Sequence, residues 1–266
     1  MRPFFKQRTA PAPGYDLIGD VHGCIDEVTT LLTRLGYEPV ENRALPPGLG
    51  DIVYTHPDGR QAVFVGDLVD RGPGIVESLR LAAAMVAGGT ALCVQGNHEN
   101  KLYRQLQGRN VRISPDLQAS LDQIKGLPPE ERKDFKDAIV PFLESLPFYL
   151  VLDDGNLLVS HAGLKASLQG KVGKKVEAFC LYGDTTGEVD AHGYPIRRNW
   201  AARYTGHPMV VYGHTPVETP RWENNTINLD TGCVFGGSLT ALRYPERELV
   251  SVPAAAEYWE KRKAFA

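Results

Sequence analysis

A chain of 266 residues, 42% hydrophobic and 23% charged, is long enough to bury a full core and has the balance of a soluble globular protein. A net charge of −3 argues against a broad basic surface for polynucleotides, and Cys24, Cys93, Cys180 and Cys233 are too scattered for a disulfide framework. The opening MRPFFKQRTAPAPG has no apolar stretch behind its charges and no later run reaches transmembrane length, so a cytoplasmic protein without a membrane partner is expected.

Taken in chain order, residues 1–14 are polar and Pro-rich and read as a mobile tail, leaving 15–266 as one domain. A first strand over Tyr15-Asp16-Leu17-Ile18 leads to an amphipathic helix across 25–35, and three prolines make 37–50 a loop. In DIVYTHPDGRQAVFV two apolar runs flank Pro57-Asp58-Gly59, which predicts a hairpin. Residues 75–86 have helical spacing and stop at Gly88-Gly89; Ala91-Leu92-Cys93-Val94 is a short buried strand. Residues 97–146 are mostly helical, broken near Ser114-Pro115 and Leu127-Pro128-Pro129. Beyond Pro147 the pattern turns to strands: FYLVL, NLLVS, MVVY, TINL, LTAL and LVSV.

Five apolar runs end in polar residues with ligand chemistry. YDLI runs into Gly19-Asp20-Val21-His22, AVFV into Gly66-Asp67 and on to Asp70-Arg71, and LCVQ into Gly96-Asn97-His98-Glu99. LLVS ends at His161-Ala162-Gly163 and MVVY at Gly213-His214-Thr215. Sites in open α/β sheets gather at the carboxyl ends of strands, and Asp20 and His22, two apart, project from one strand face. Each motif alone can be a turn or a cap. Together they point to a metal centre. Carboxylate, imidazole and amide donors accept Mn²⁺, Fe²⁺, Co²⁺, Ni²⁺ or Zn²⁺, and their number fits two ions. Asp20, His22 and Asp67 serve one; Asp67, Asn97, His161 and His214 serve the other. His56, His192 and His207 lack such a context and read as surface residues.

GDVHGC, GDLVDRG, GNHE, HAG and YGHTPV together resemble the signature of the calcineurin-like, phosphoprotein-phosphatase-type metallophosphoesterases. The resemblance spans residues 15 to about 240 and implies a metallo-dependent phosphatase fold of the α/β class, a central β-sandwich flanked by helices (α/β/β/α). It also implies a two-metal centre, commonly Mn²⁺, that activates water for attack on a phosphate ester or anhydride. His98 would then be the general acid, with Asp70 orienting it. Arg71 offers a planar fork for phosphate oxygens, and Asp67 is suited to bridge the two ions.

LYGDTTGEVDAHGYPIRRNWAARYTG and TINLDTGCVFGGSLTALRYPERELVSVP look like the PrpE-type bis(5′-nucleosyl)-tetraphosphatases. They are also similar to the phosphatase module of bacterial polynucleotide kinase-phosphatases, although the chain has no room for the kinase and ligase-like domains that flank that module. The resemblance therefore implies a small phosphorylated substrate such as diadenosine tetraphosphate. Phosphoserine and phosphothreonine proteins, or a short RNA 3′ end carrying a phosphate or cyclic phosphate, are the alternatives. Arg197 and Arg198 are candidates for a second phosphate or for a solvated face, and Asp230 for a substrate contact or a turn. Glu99 either supports the ligands or begins a helix; Tyr182, Tyr194 and Trp200 either stack on a base or pack beneath loops.

Overall fold

The central strands carry apolar side chains on both faces, and only strands covered on both sides can bury such a pattern. Leu17, Val63 and Val65 point into a core shared with Leu157, Val159, Met209 and Val211. Their neighbours Ile18, Ala62 and Phe64 turn outward against Val28, Leu31, Ile75 and Leu79 of two helices. Leu158, Val210 and Tyr212 face the opposite outer layer, with Phe179 and Trp200. Period-two alternation thus produces three apolar layers from one set of strands.

The computed structural model describes residues 5–7, 12–190 and 195–260. One sheet has five strands in the order Glu248–Pro253, Ser238–Tyr244, Tyr15–Ile18, Gln61–Phe64 and Ala91–Cys93, the last three parallel. The other has six, in the order Phe5–Gln7, Tyr149–Leu152, Leu157–Ser160, Met209–Tyr212, Thr226–Asn228 and Arg221–Glu223. Leu157–Ser160, Met209–Tyr212 and Thr226–Asn228 run parallel, so their carboxyl ends share one edge. The helices Ile25–Arg34 and Ile75–Ala87 cover the first sheet and Lys174–Tyr182 lies in the outer layer of the second, completing the α/β sandwich.

Three local expectations are corrected. No hairpin forms around Pro57-Asp58-Gly59. Ile52–Thr55 pairs with Glu38–Glu41, and Gln61–Phe64 instead enters the main sheet beside Tyr15–Ile18. The reason is burial: Gln61–Phe64 is covered on every residue, whereas Ile52–Thr55 is covered only at Val53. Second, the segment 37–50 is not all loop, because Glu38–Glu41 makes that exposed two-stranded ribbon despite Pro39. Third, within the expected tail, Phe5–Gln7 is a strand parallel to Tyr149–Leu152.

At the amino end of the first sheet sits a buried ionic cluster. Asp16, fully buried, accepts from Arg60 Nε and Nη2 at 3.0 Å each, from Tyr37 Oη at 3.0 Å and from Arg243 Nε at 3.2 Å. The ligand candidates occupy the other end.

Candidate metal centre

The loops after the strands are bound to each other before any ligand is considered. Val21 N and His22 N both donate to Asp67 O, at 3.1 and 2.7 Å, and Gly23 N donates to Leu68 O at 2.9 Å. On the second sheet Gly213 N donates to His161 O at 2.8 Å. The sheets are joined by His214 N, which donates to Asp20 Oδ2 at 3.0 Å. Glycine is required at Gly96 and Gly213: a Cβ would strike Asp67 Oδ1 at the first and Asp20 Oδ1 at the second.

Around Asp67 the imidazoles converge. Its Oδ2 lies 3.3 Å from His161 Nε2, 3.6 Å from His22 Nε2 and 3.8 Å from His98 Nε2. His161 Nε2 is also 2.9 Å from Asn97 Oδ1 and 3.0 Å from His214 Nδ1. The orientation of two rings follows from their outer nitrogens. His22 Nδ1 is 2.7 Å from Val69 O and His161 Nδ1 is 3.1 Å from Val65 O. A carbonyl oxygen only accepts, so both Nδ1 atoms carry a hydrogen and both Nε2 atoms face inward.

Charge crowding explains the titration. Burial, then Asp230 and Asp67, raise the Asp20 carboxyl well above its ordinary range. Burial would also raise Asp67, but His161 and His98 outweigh it and hold that carboxyl far down. His161 shows the converse: burial disfavours its charge, and Asp67 nonetheless lifts it to about 9. Burial, reinforced by Arg71 for His22 and by His161 for His214, holds both imidazoles well below their usual range.

Asp20 Oδ1 is buried without a hydrogen-bond partner. That orphaned carboxylate oxygen, the inward Nε2 atoms of His22 and His161, and the donor set Asp67–His161–His214 fit divalent cations. Thus Asp20, His22, Asp67, Asn97, His161 and His214, drawn from five loops, are brought to one place.

Next to them is an acid–base pair. His98 Nδ1 lies 2.5 Å from Asp70 Oδ2, while Asp70 Oδ1 accepts from Ser120 Oγ. Asp70 is fully buried, and Gly74, not Asp70, caps the following helix Ile75–Ala87. Arg71 pairs with Asp116 at 3.2 Å and extends Nη1 to 2.7 Å from His22 Nε2 and Nη2 to 3.2 Å from His98 Nε2. Glu99 does both jobs foreseen for it. It sits in the first turn of Asn97–Leu106, and its carboxylate accepts from Asp67 N and Leu68 N at 2.7 Å and from Gly96 N at 3.0 Å.

The two arginines of PIRRNW part company. Arg197 Nη2 is 2.9 Å from His214 Nε2, whereas Arg198 is half exposed and pairs with Asp184 at 3.6 Å. Both line a cleft of about 220 Å³ that runs from His214 past Trp200 to Arg221. Asp230 closes a turn through Gly232 N at 3.0 Å, and its charge also acts on Asp20. Trp200 is buried against Phe179, Tyr204 and Tyr212; Tyr182 is partly buried, and Tyr194 and His192 lie outside the described residues. His207 is exposed, but the His56 ring is buried on Tyr37, 5.1 Å between centroids, which corrects its surface reading. Sequence reasoning missed Ser120 and Asp116. They lie on the helix Pro115–Gly126, whose apolar spacing signals only packing.

The chain belongs to the calcineurin-like phosphoesterases, whose family model matches residues 15–218. It is accordingly a metal-dependent phosphoester hydrolase. It is 47% identical over 251 residues to the bis(5′-nucleosyl)-tetraphosphatase PrpE (asymmetrical) of Geobacillus thermodenitrificans, covering 94% of this chain and 98% of that one. The protein of the same name from Bacillus subtilis is 46% identical over 248 residues, covering 93% and 98%. Among solved structures, one described as a candidate diadenosine tetraphosphatase superposes with a TM-score of 0.63 at 22% identity, covering 95% of this chain and 98% of that chain. A Saccharomyces cerevisiae protein serine/threonine phosphatase gives 0.59 at 14%, covering 98% and 86%. At these identities both structures speak for the fold alone.

Proposed function

We propose that the chain hydrolyses dinucleoside polyphosphates, with diadenosine tetraphosphate as its substrate, and that residues 15–266 act as one catalytic unit. The observation that carries this reading is the 46% and 47% identity, over nearly the full length of both chains, to relatives named for that activity. The cleft beside His214 supports it, because Arg197, Arg198 and Arg221 suit a substrate with several phosphates.

In this reading Asp20, His22 and Asp67 hold one divalent cation and Asp67, Asn97, His161 and His214 the other, with Mn²⁺ as the native metal. The pair supplies an activated water and neutralises phosphoryl charge. His98 protonates the leaving oxygen, its ring oriented by Asp70, which Ser120 in turn fixes. Arg71 grips the phosphoryl group under attack and Arg197 a phosphate further along, with Arg198 at the mouth of the cleft and Asp230 beside Asp20. Among the described residues no helix is long and apolar enough to cross a membrane. The four buried free cysteines suit a reducing compartment, so the reading is cytoplasmic.

Metal-loaded protein is offered diadenosine tetraphosphate, a phosphopeptide and a 3′-phosphorylated oligonucleotide side by side, with products separated by chromatography. Preferred turnover of the nucleotide is expected. ATP plus AMP would mark asymmetrical cleavage, and ADP alone symmetrical. Comparable or better turnover of the phosphopeptide or the oligonucleotide would overturn the substrate assignment.

A further inference from the structure

On the far side of the loop that carries Asp20 and His22 lies a second set of metal-type donors, unused by the chemistry above. Cys24, Glu27 and Cys233 bring two Sγ atoms and a carboxylate oxygen within 4.8 Å of one another, and all three residues are buried. Cys24 is the N-cap of Ile25–Arg34 and Glu27 stands in its first turn. Three positions apart, the two share a helix face, at the end where backbone N–H groups favour anionic donors. Cys233 comes from the loop after Asp230, whose turn is closed by Phe235 N on Gly232 O and Gly236 N on Cys233 O.

Only half of the Glu27 carboxylate is satisfied. Oε1 accepts from Ala255 N and Tyr258 Oη at 2.9 Å each, while Oε2 is buried and no donor reaches it, thiols included. A hydrogen bond between the two thiols would account for the cysteines and leave that oxygen bare, at a cost. A cation engages all three groups at once.

We propose that Cys24, Glu27 and Cys233 form a third cation site, separate from the phosphoesterase centre, which holds a thiophilic divalent ion of the zinc class. Two thiolates select such an ion over Mg²⁺, Ca²⁺ or Mn²⁺, and Glu27 Oε2, the oxygen no donor reaches, supplies the third ligand and leaves one position of a tetrahedral site to water. The ion ties two segments together, the helix start that follows Asp20 and His22 and the loop following Asp230, and through Ala255 N and Tyr258 Oη on Glu27 Oε1 it is coupled to the C-terminal segment. That last segment is already fastened by Tyr258 N and Trp259 N to Val234 O, at 3.1 and 3.0 Å. Its role is structural. It sets how firmly the ligand-bearing loops are held without touching substrate.

The test uses the full chain loaded with Co²⁺. The Asp, His and Asn centre contains no sulfur, so a thiolate-to-cobalt charge-transfer band reports on this cluster and not on the hydrolytic one. The band is expected in the wild type and lost in Cys233→Ser, with the d–d bands of the other centre retained. X-ray absorption on zinc-loaded wild type needs no variant, and a sulfur shell at about 2.3 Å is expected there. Three results would each overturn the proposal: folded, cobalt-loaded wild type with neither band nor sulfur shell; a band that survives Cys24→Ser with Cys233→Ser; or a Cys24–Cys233 disulfide in protein purified without reductant. All three readouts follow sulfur and not hydrolysis, so they stand apart from the substrate assignment.

Discussion

Five of the nine non-glycine residues with positive φ among those described are His22, Asp67, Asp70, Arg71 and His214. Side chains disfavour this region by roughly 1 kcal/mol or more each, and such conformations persist where surrounding contacts enforce them. At His22 and Asp67 the enforcing contacts are His22 N on Asp67 O and Asp67 N on the Glu99 carboxylate, and at Asp70 and His214 they are the bonds of their N–H groups to Ser120 Oγ and Asp20 Oδ2. His98→Ala is expected to lower kcat about 10²–10⁴-fold with metal content unchanged by elemental analysis. Gly213→Ala, by contrast, pushes a methyl group onto Asp20 Oδ1 and is expected to lose bound metal before it loses fold, read by metal titration and circular dichroism. The His161–Asp67 pair carries a pH signature in chelator-treated protein. An imidazole raised to about 9 contributes stability that is complete below its unfolded value near 6.5 and lost as pH climbs through 9. The Tm of metal-free protein should therefore fall across that window, and a flat profile would contradict the pairing.

At the scale of the element, the turn Gly66–Val69 holds its shape through one side chain. Glu99 Oε1 and Oε2 together collect the N–H groups of Gly96, Asp67, Leu68 and Val69. Glu99→Gln puts an amide NH₂ where a carboxylate oxygen accepted, and about 1–3 kcal/mol of stability should go, with weakened metal affinity measured by calorimetry. The position of Glu99 three residues after Gly96 was legible as a helix start; its grip on a separate turn was not, because hydrogen bonds between loops leave no local pattern. The same limit hid Ser120 and Asp116. Their helix could be read from its Ser114-Pro115 start, and only packing turns that face toward Asp70 and Arg71. The hairpin error has a related cause. Pro57-Asp58-Gly59 does make a turn, with Gly59 N on His56 O at 2.9 Å, but a turn decides only that the chain reverses, not which strand it pairs with next.

Across the whole molecule, the centre sits on the carboxyl edges of two sheets, so neither sheet alone holds it. Chelation is expected to abolish hydrolysis and to lower Tm as the stabilisation linked to ligand binding is removed, with both restored on adding Mn²⁺. The Asp16 cluster at the opposite end bears on stability and not on chemistry. Asp16→Asn leaves the buried Arg60 with less than its full countercharge and should cost on the order of 3 kcal/mol in denaturant unfolding, with kcat of the surviving folded fraction unchanged.

What the amino-acid sequence determined by itself was the inventory: which strands are apolar throughout, and which residues with metal-binding and acid–base chemistry stand immediately after them. That information is local, since a strand end and its ligand are neighbours in the chain. The tertiary structure decided everything that depends on approach between distant segments. It parted Arg197 from Arg198, seated Ser120 and Asp116 beside Asp70 and Arg71, and set Cys24 next to Cys233. Such neighbours meet only because helices and loops pack onto the sheets, and packing is a property of the folded chain as a whole.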